Sequence, residues 1–363
     1  MKIAHLTSAH QDGDVRIFHK ECVSLAEAGH EVYMIIPNTT SRIEKGVNVI
    51  SFELPFKRRI KRMWTTVNRV YKEALKLDAE LYHFHDPELM RIARKLKRKG
   101  KKVIYDVHED LPRTILSKSY INKFLRKIVS RNIERYEDKT ASLMDAVVTA
   151  TPHINDRFLK INKKSVNINN YPLSSEFDAT GEVSEQRENV VCYIGGIGVI
   201  RGIREMVDAV EIADVNFKVA GAWPEGLKEE LSSKKGWQKV HELGYISRDE
   251  ATELKKSCIA GLLIFHPLPN HVNAQPNKMF EYMSAGLPVI ANDFDLWKQI
   301  IEANECGICV NGEKPEEIAK AIIYLKENPA EIKRMGENGK RVVQEKYNWD
   351  IEKKKLIELY QSI

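Results

Sequence analysis

The 363-residue sequence predicts an α/β protein with two doubly wound, Rossmann-like halves, each built on a parallel sheet. Short apolar runs, the length of strands buried on both faces, alternate with helical segments along most of the chain. Several of these runs end in polar or glycine-rich loops, and the loops at strand ends are where open α/β sheets hold ligands. A polar, charged stretch near 172–189 separates two series of such units, and the chain is longer than one core usually holds. The expected division is therefore 1–172 and 173–346, with a last helix over 347–363.

In the first half, a strand over Ile3–Thr7 leads to a helix over Arg16–Ala28 that Gly29 closes, then to a strand over Glu31–Ile36. Further strands are expected at Leu81–His85, Val103–Val107 and Ala146–Ala150, with a basic helix running to Lys99 between the first two. Polar groups collect after three of these strands. The loop carrying His10, Asp12, Gly13 and Arg16 leaves the first, His85 and Asp86 end another, and Asp106, His108, Glu109 and Asp110 follow a third. Any one of these histidines is as readily a structural group as a catalytic one.

In the second half, Val190–Ile194 reads as a strand and is followed by Gly195, Gly196, Ile197, Gly198, Val199, Ile200, Arg201 and Gly202, then by a helix from Arg204 to Ala213. Glycines let backbone N–H groups approach an anion, and an arginine fork clamps two phosphate oxygens. Phe217–Trp223 and His241–Ser247 read as strand ends of the same sheet. The run Ala260–Phe265 is a buried strand, and its loop carries Pro267, Pro269 and Pro276. Pro276 suits a helix start, Gly286 its end, and Pro288 bars continuation before a strand at Val289–Asn292. Lys278 and Glu281 share one face of that helix, the first suited to a phosphate and the second to a vicinal diol such as ribose. Phosphate and diol together point to a nucleotide, although such spacing taken alone usually marks an ordinary solvated pair.

The run P-N-K-M-F-E-Y-M-S-A-G-L-P-V-I, Pro276–Ile290, resembles the donor-binding segment of the retaining glycosyltransferases of family four, the group 1 glycosyltransferases. The resemblance implies the GT-B fold, two Rossmann-like domains facing across a cleft, with the last helix returning to the first domain. It implies that Glu281 binds ribose and that Asn277 and Lys278 lie at the donor. Asn273 stands where the family places a second glutamate, eight positions earlier, facing the donor sugar. An amide donates and accepts hydrogen bonds but carries no negative charge. The loop Gly195–Gly202 is similar to the family's G-R-L-x-x-x-K-G, with Gly196 in place of arginine and Arg201 in place of lysine. His241–Ser247 resembles the stretch whose backbone meets the base, which implies Tyr245 and Ile246; Tyr245 is equally readable as a rim aromatic. Tyr82–Leu89, Y-H-F-H-D-P-E-L, is similar to the strand end whose histidine, here His85, contacts the donor sugar. The opening from His5 to Glu21 resembles a polysaccharide-assembly branch, and its loop, with His10, Asp12, Gly13 and Arg16, would face the cleft on the acceptor side; His108 and Glu109, at the third strand end, are expected there too. Arg201 and Lys278 would stabilise the departing diphosphate, with His85 orienting the sugar.

Composition agrees with an ordinary globular protein: 43% hydrophobic and 30% charged residues, and a net charge of +6. The opening residues read as a strand start, not a signal peptide, and a cytoplasmic location is expected. Five scattered cysteines fit a reducing compartment, and Cys306-Gly-Ile-Cys309 is read as structural. No metal or other cofactor is expected; Asp12-Gly-Asp14 has the D-x-D spacing formally but lies away from the expected diphosphate. Basic runs at Lys57–Arg62, Arg91–Lys102 and Lys118–Arg135, the last interleaved with Phe124, Leu125, Ile128 and Val129, suit an anionic membrane surface as well as a plain solvated face. No aromatic platform accompanies them, so nucleic acid is not an expected partner. The expected partners are a nucleotide-sugar, UDP-linked before GDP-linked, and a saccharide or lipid-linked acceptor. The competing readings are an epimerase of the same fold and a nucleotide-binding module without transfer activity.

Overall fold

A computed structural model of the chain describes residues 1–54, 59–118, 121–175 and 187–363. It consists of two compact units, Met1–Asn170 together with Trp349–Ile363, and Tyr171–Asn348. Most of the expected junction stretch near 172–189, and the start of the basic run at Lys57–Arg62, lie outside the described residues.

The first unit holds an eight-stranded sheet in the order β3-β4-β2-β1-β5-β6-β7-β8. Its strands are β1 (Lys2–Leu6), β2 (Glu31–Pro37), β3 (Arg42–Glu44), β4 (Val47–Phe52), β5 (Leu81–Phe84), β6 (Lys102–Val107), β7 (Ala146–Thr149) and β8 (Ser165–Asn167). All pairings are parallel except β3 with β4, a short hairpin at the edge. Among the described residues the α-helices between the strands are α1 (Val23–Glu27), α2 (Arg59–Leu77), α3 (Met90–Arg98), α4 (Leu111–Leu116), α5 (Lys123–Ala141) and α6 (Pro152–Phe158). Buried Leu6, Phe84, Tyr105, Val147 and Phe158 belong to one continuous core that pins them to the sheet.

The expected α-helix over Arg16–Ala28 begins differently. Val15–Cys22 is a π-helix, entered where both Phe18 N–H and His19 N–H bond the Asp14 carbonyl, at 2.9 and 3.3 Å. The Asp14 side chain caps it through Ile17 N–H. A wider turn carries an extra residue to the inner face, and Arg16, Lys20 and Glu21 are all buried there with Ile17 and Phe18.

The second unit holds a six-stranded, all-parallel sheet in the order β11-β10-β9-β12-β13-β14. Its strands are β9 (Glu188–Ile194), β10 (Asn216–Ala220), β11 (Val240–Gly244), β12 (Cys258–Leu263), β13 (Val289–Asn292) and β14 (Gly307–Val310). The helices are α7 (Ile203–Ala213), α8 (Leu227–Ser232), α9 (Arg248–Ser257), α10 (Asn277–Ser284), α11 (Asp295–Ile301), α12 (Pro315–Glu327) and α13 (Pro329–Lys346). Chain direction across the sheet reverses between β9 and β12. Such a reversal opens a crevice at the carboxyl ends of the two strands, because their connections leave toward opposite faces. In the first unit the same reversal falls between β1 and β5. Cys306 and Cys309 are free thiols, Cys306 being buried with its sulfur 3.3 Å from the Ile301 carbonyl.

The last helix, α14 (Trp349–Ser362), belongs to the first unit. Trp349 is buried with its indole N–H 2.9 Å from Ser24 Oγ, and Glu352 accepts the Asn169 N–H at 2.8 Å. Removing the buried indole leaves a void that a packed core fills only in part. Trp349→Ala is therefore expected to cost about 3–5 kcal/mol in urea unfolding, and a loss under about 1 kcal/mol would show that the helix is not held through this residue.

Candidate active site

Each crevice collects polar side chains, and the two sets differ in chemistry. In the second unit, the loop after β9 and the loop after β12 converge on two cations. Arg201 lies with its guanidinium carbon 4.3 Å from the centre of the Phe265 ring. Lys278, in the first turn of α10, places its ammonium 4.0 Å from the Tyr193 ring centre and 5.9 Å from that of Phe265. The ammonium donates to Tyr193 Oη at 2.8 Å, and Tyr193 donates to the Gly196 carbonyl at 2.6 Å. One buried tyrosine thereby positions both the lysine and the glycine loop. Gly195 adopts φ +132°, and a Cβ there would stand 2.9 Å from the Lys278 nitrogen, so the close approach requires glycine. Gly202, at φ +68°, starts α7 where a Cβ would meet the Ile264 backbone at 2.6 Å.

Burial, with the Arg201 charge added to it, lowers the Lys278 ammonium to about 7, against the pull of Glu281. Glu281 lies one helical turn away, and its carboxylate makes no hydrogen bond or ion pair among the described residues. Beside the glycine loop lies a cavity of about 380 Å³ lined by Gly195, Gly196, Ala220, Gly221, Tyr245 and Ile246, among others. Tyr245 is 89% exposed at its rim. Gly198 is extended, Asn277 is exposed at the start of α10, and Asn273 is half-buried in the preceding turn. The structure thus gathers Gly196, Tyr245 and Ile246 around one cavity, and Arg201 and Lys278 around one aromatic ring. The sequence reading missed Tyr193 and Phe265, which appear there only as apolar strand residues.

In the first unit, Asp106 is the hub. It takes a two-pronged ion pair from Arg16, at 2.8 and 3.0 Å, and contacts from His85 Nδ1 at 3.0 Å and His108 Nε2 at 2.9 Å. Arg16 also donates to the Ile168 carbonyl at 2.8 Å and lies 3.1 Å from Glu21. Behind His85, its Nε2 meets His5 Nδ1 at 2.9 Å, and Tyr360 Oη bridges His5 and His83 at 3.3 and 2.7 Å. Register explains the gathering: His5 pairs directly with His83, and His85 and Asp106 follow on the same face of neighbouring strands. Nearer solvent, His10 Nδ1 lies 3.0 Å from Asp86, which also accepts Ser8 N–H at 2.6 Å and Thr7 Oγ1 at 2.8 Å.

Arg16, expected on the acceptor side, and His85, expected at the donor sugar, are buried, because the π-helix turns Arg16 inward and Asp106 holds both. The imidazoles that retain exposure are His10 and His108, whose rings stand 4.9 Å apart. Asp12 is engaged with Arg42 through two 2.9 Å contacts, Gly13 has φ +71°, and Glu109 accepts Thr114 Oγ1 at 3.3 Å.

The cluster His5, Glu21, His83 and His85, and the cluster His85, Asp106 and His108, bring ligand-type atoms within 4.8 Å of one another, near enough to share a metal ion. Arg16 already supplies fixed positive charge to both acids. Burial and the neighbouring Asp106 charge push Glu21 well up, while Arg16 and His108 hold Asp106 well below its ordinary range despite burial. Burial pulls His5 and His83 well down and His85 to about 4. For His10, burial is outweighed by the bond and charge of Asp86, and its value rises.

With this geometry in hand, comparison with known proteins identifies the class. Residues 13–168 match the family model of glycosyltransferase family 4, and residues 175–342 match that of the group 1 glycosyl transferases. The chain belongs to the group 1 glycosyltransferases and is a glycosyltransferase. It is 25% identical over 309 residues to an alpha-galactosylglucosyldiacylglycerol synthase of Streptococcus pneumoniae, covering 76% of each chain. It is 22% identical over 288 residues to an uncharacterized glycosyltransferase of Methanocaldococcus jannaschii, covering 75% of this chain and 70% of that one. Among solved structures, sucrose-phosphate synthase from Thermosynechococcus elongatus superposes with a TM-score of 0.75 at 17% identity, over 100% of this chain and 98% of that one. Anabaena HepE in complex with UDP superposes with a TM-score of 0.72 at 14% identity, over 100% of both chains. These structural likenesses show the fold alone, which is GT-B.

The histidine values set a pH dependence. The folded state keeps His5, His83 and His85 neutral, so the unfolded chain takes up protons first as pH falls below the ordinary 6.5, and stability drains from there toward about 4. His10, raised, contributes fully below 6.5 and loses that contribution as pH rises through its own value; Glu21, held protonated, also favours acid. The three lowered histidines outweigh these. The melting temperature is expected to fall on going from about pH 6.5 to 5, more steeply in His10→Gln. A flat profile in both proteins would mean that the cluster does not hold its neutral imidazoles.

Proposed function

We propose that the protein is a retaining glycosyltransferase that moves a sugar from a nucleoside diphosphate sugar, UDP-linked before GDP-linked, to a saccharide or lipid-linked acceptor in cell-surface polysaccharide or glycolipid assembly. The observation that carries the proposal is the pairing of Arg201 and Lys278 over one aromatic ring, with burial and repulsion lowering the lysine to about 7. Two cations that repel each other in a half-buried crevice form a site for a dianion, and a diphosphate leaving group is one. The glycolipid in the name of the Streptococcus relative supports the lipid-linked acceptor, and the UDP in the HepE complex supports the donor.

In this reading the cavity beside Gly196, Tyr245 and Ile246 takes the base, and Glu281 accepts hydrogen bonds from the ribose hydroxyls. Asn273 faces the sugar with a neutral amide. As the bond between the anomeric carbon and the diphosphate breaks, negative charge grows on the phosphate oxygen, and Arg201 and Lys278 stabilise it where it grows. The acceptor oxygen then bonds to the anomeric carbon from the same face, and its proton passes to the departing phosphate oxygen. In the first unit, His10 and His108 keep part of their imidazoles exposed, each held by a buried carboxylate. No metal takes part in this proposal, because the fixed cations occupy its electrostatic role.

The test is transfer of radiolabelled sugar from UDP- and GDP-sugars to mixed saccharide and glycolipid acceptors, with and without a chelator. Transfer from one nucleotide class, unchanged by the chelator, is expected; product formed from donor alone, or activity lost on chelation, would contradict the reading. Glu281→Ala is expected to weaken nucleoside diphosphate binding about tenfold or more by removing a charge-assisted bond, with little change in melting temperature. Unaltered affinity would remove Glu281 from the site.

A further inference from the structure

Helix α5 carries a separation of charge that its sequence conceals. Its acidic residues are Glu134, Glu137 and Asp138, and all are engaged on the inner side. Glu134 pairs with Arg113, Glu137 pairs with Arg157 at 2.7 Å and accepts Tyr105 Oη at 2.8 Å, and Asp138 pairs with Arg157. The basic residues Lys127, Arg131, Arg135 and Lys139 recur every fourth position, are exposed, and form no ion pair among the described residues. Beside their row, at 3.6 residues per turn, run Phe124 with Ile128 and Leu125 with Val129. These four apolar side chains are 73%, 45%, 53% and 36% exposed, respectively. The same outer region reaches Tyr136, 40% exposed, over which Arg94 of α3 lies 5.6 Å from the ring centre. Trp64, 58% exposed, is covered by Arg91 of the same helix at 4.3 Å. The segment of α3 contributes no acidic residue to this surface.

An exposed apolar row edged by unpaired cations serves no purpose within the unit, since its acids are already neutralised by arginines from α4 and α6. We propose that this face of α5 docks on an anionic lipid bilayer. Phe124, Leu125, Ile128 and Val129 enter the boundary between headgroups and acyl chains, and Lys127, Arg131, Arg135 and Lys139 meet lipid phosphates. Trp64 and Tyr136 sit at the level where aromatic rings and their arginines favour the interface. No helix among the described residues is long and apolar enough to cross a membrane, so this contact is peripheral. The inference deepens the proposed function, resting on its lipid-linked acceptor for its purpose but not for its physics.

Vesicle flotation of the full-length protein tests it. Vesicles with roughly one-third phosphatidylglycerol are expected to carry the protein and pure phosphatidylcholine vesicles to leave it behind, with binding weakened by added salt. Phe124→Ser with Ile128→Ser, and separately Lys127→Glu with Arg131→Glu, are each expected to lower binding about tenfold or more. All four positions are exposed, so melting temperature and transfer to a water-soluble acceptor should hold. Absence of binding to anionic vesicles, equal binding by wild type and both double variants, or retention on RNA but not on vesicles would overturn the proposal. Loss of nucleotide binding in Glu281→Ala tests the donor site independently and leaves the vesicle result unaffected.

Discussion

The repulsion between Arg201 and Lys278 is the constraint around which the crevice of the second unit is built. The fold forces it: the loops after β9 and β12 meet where the sheet reverses direction, and each delivers one cation to the ring of Phe265. Among the described residues nothing anionic pairs with both, and Glu281 offsets only part of the strain on the lysine. Tyr193 keeps Lys278 in place through its hydroxyl, and Gly195 leaves it the space. An enzyme that must stabilise charge on a leaving group gains by fixing such cations beforehand, since no reorganisation is then needed as the charge appears.

The first unit solves a different problem at the equivalent reversal of its own sheet. There a buried carboxylate, Asp106, is neutralised by Arg16, and histidines radiate from it toward solvent through His108 and inward through His85 to His5. A buried charge of this kind persists only when paired and hydrogen-bonded, which Arg16 from the π-helix achieves together with His85 and His108. Tyr360, on the last helix of the chain, closes the inner end of the network. The end of the sequence is thus part of the polar core built by its first strand.

The fold class was legible because buried parallel strands are continuous apolar runs and because Gly and Pro punctuate them. Val289–Asn292 was placed to the residue, and the helix between Pro276 and Gly286 to within two. Lys278 and Glu281 were legible as candidates because helix spacing fixes their shared face. Other features were out of reach. Tyr193 and Phe265 look like any apolar strand residue, and their roles depend on which strands become neighbours. The burial of Arg16 follows from a π-turn, which differs from an α-turn by one hydrogen-bond register and leaves no periodic mark. The β3–β4 hairpin is too short to alternate visibly, and the segregated charges of α5 depend on Arg113 and Arg157 reaching it from other helices.

The most direct measurement of the central claim is calorimetric titration of UDP at about pH 8 in buffers of differing ionisation enthalpy. A lysine near 7 when free is mostly neutral at that pH and becomes charged beside a diphosphate, so binding should take up close to one proton. That uptake should disappear in Lys278→Met. Binding with no dependence on the buffer, or uptake unchanged in the variant, would contradict the view of Arg201 and Lys278 as a repelling pair completed by the diphosphate.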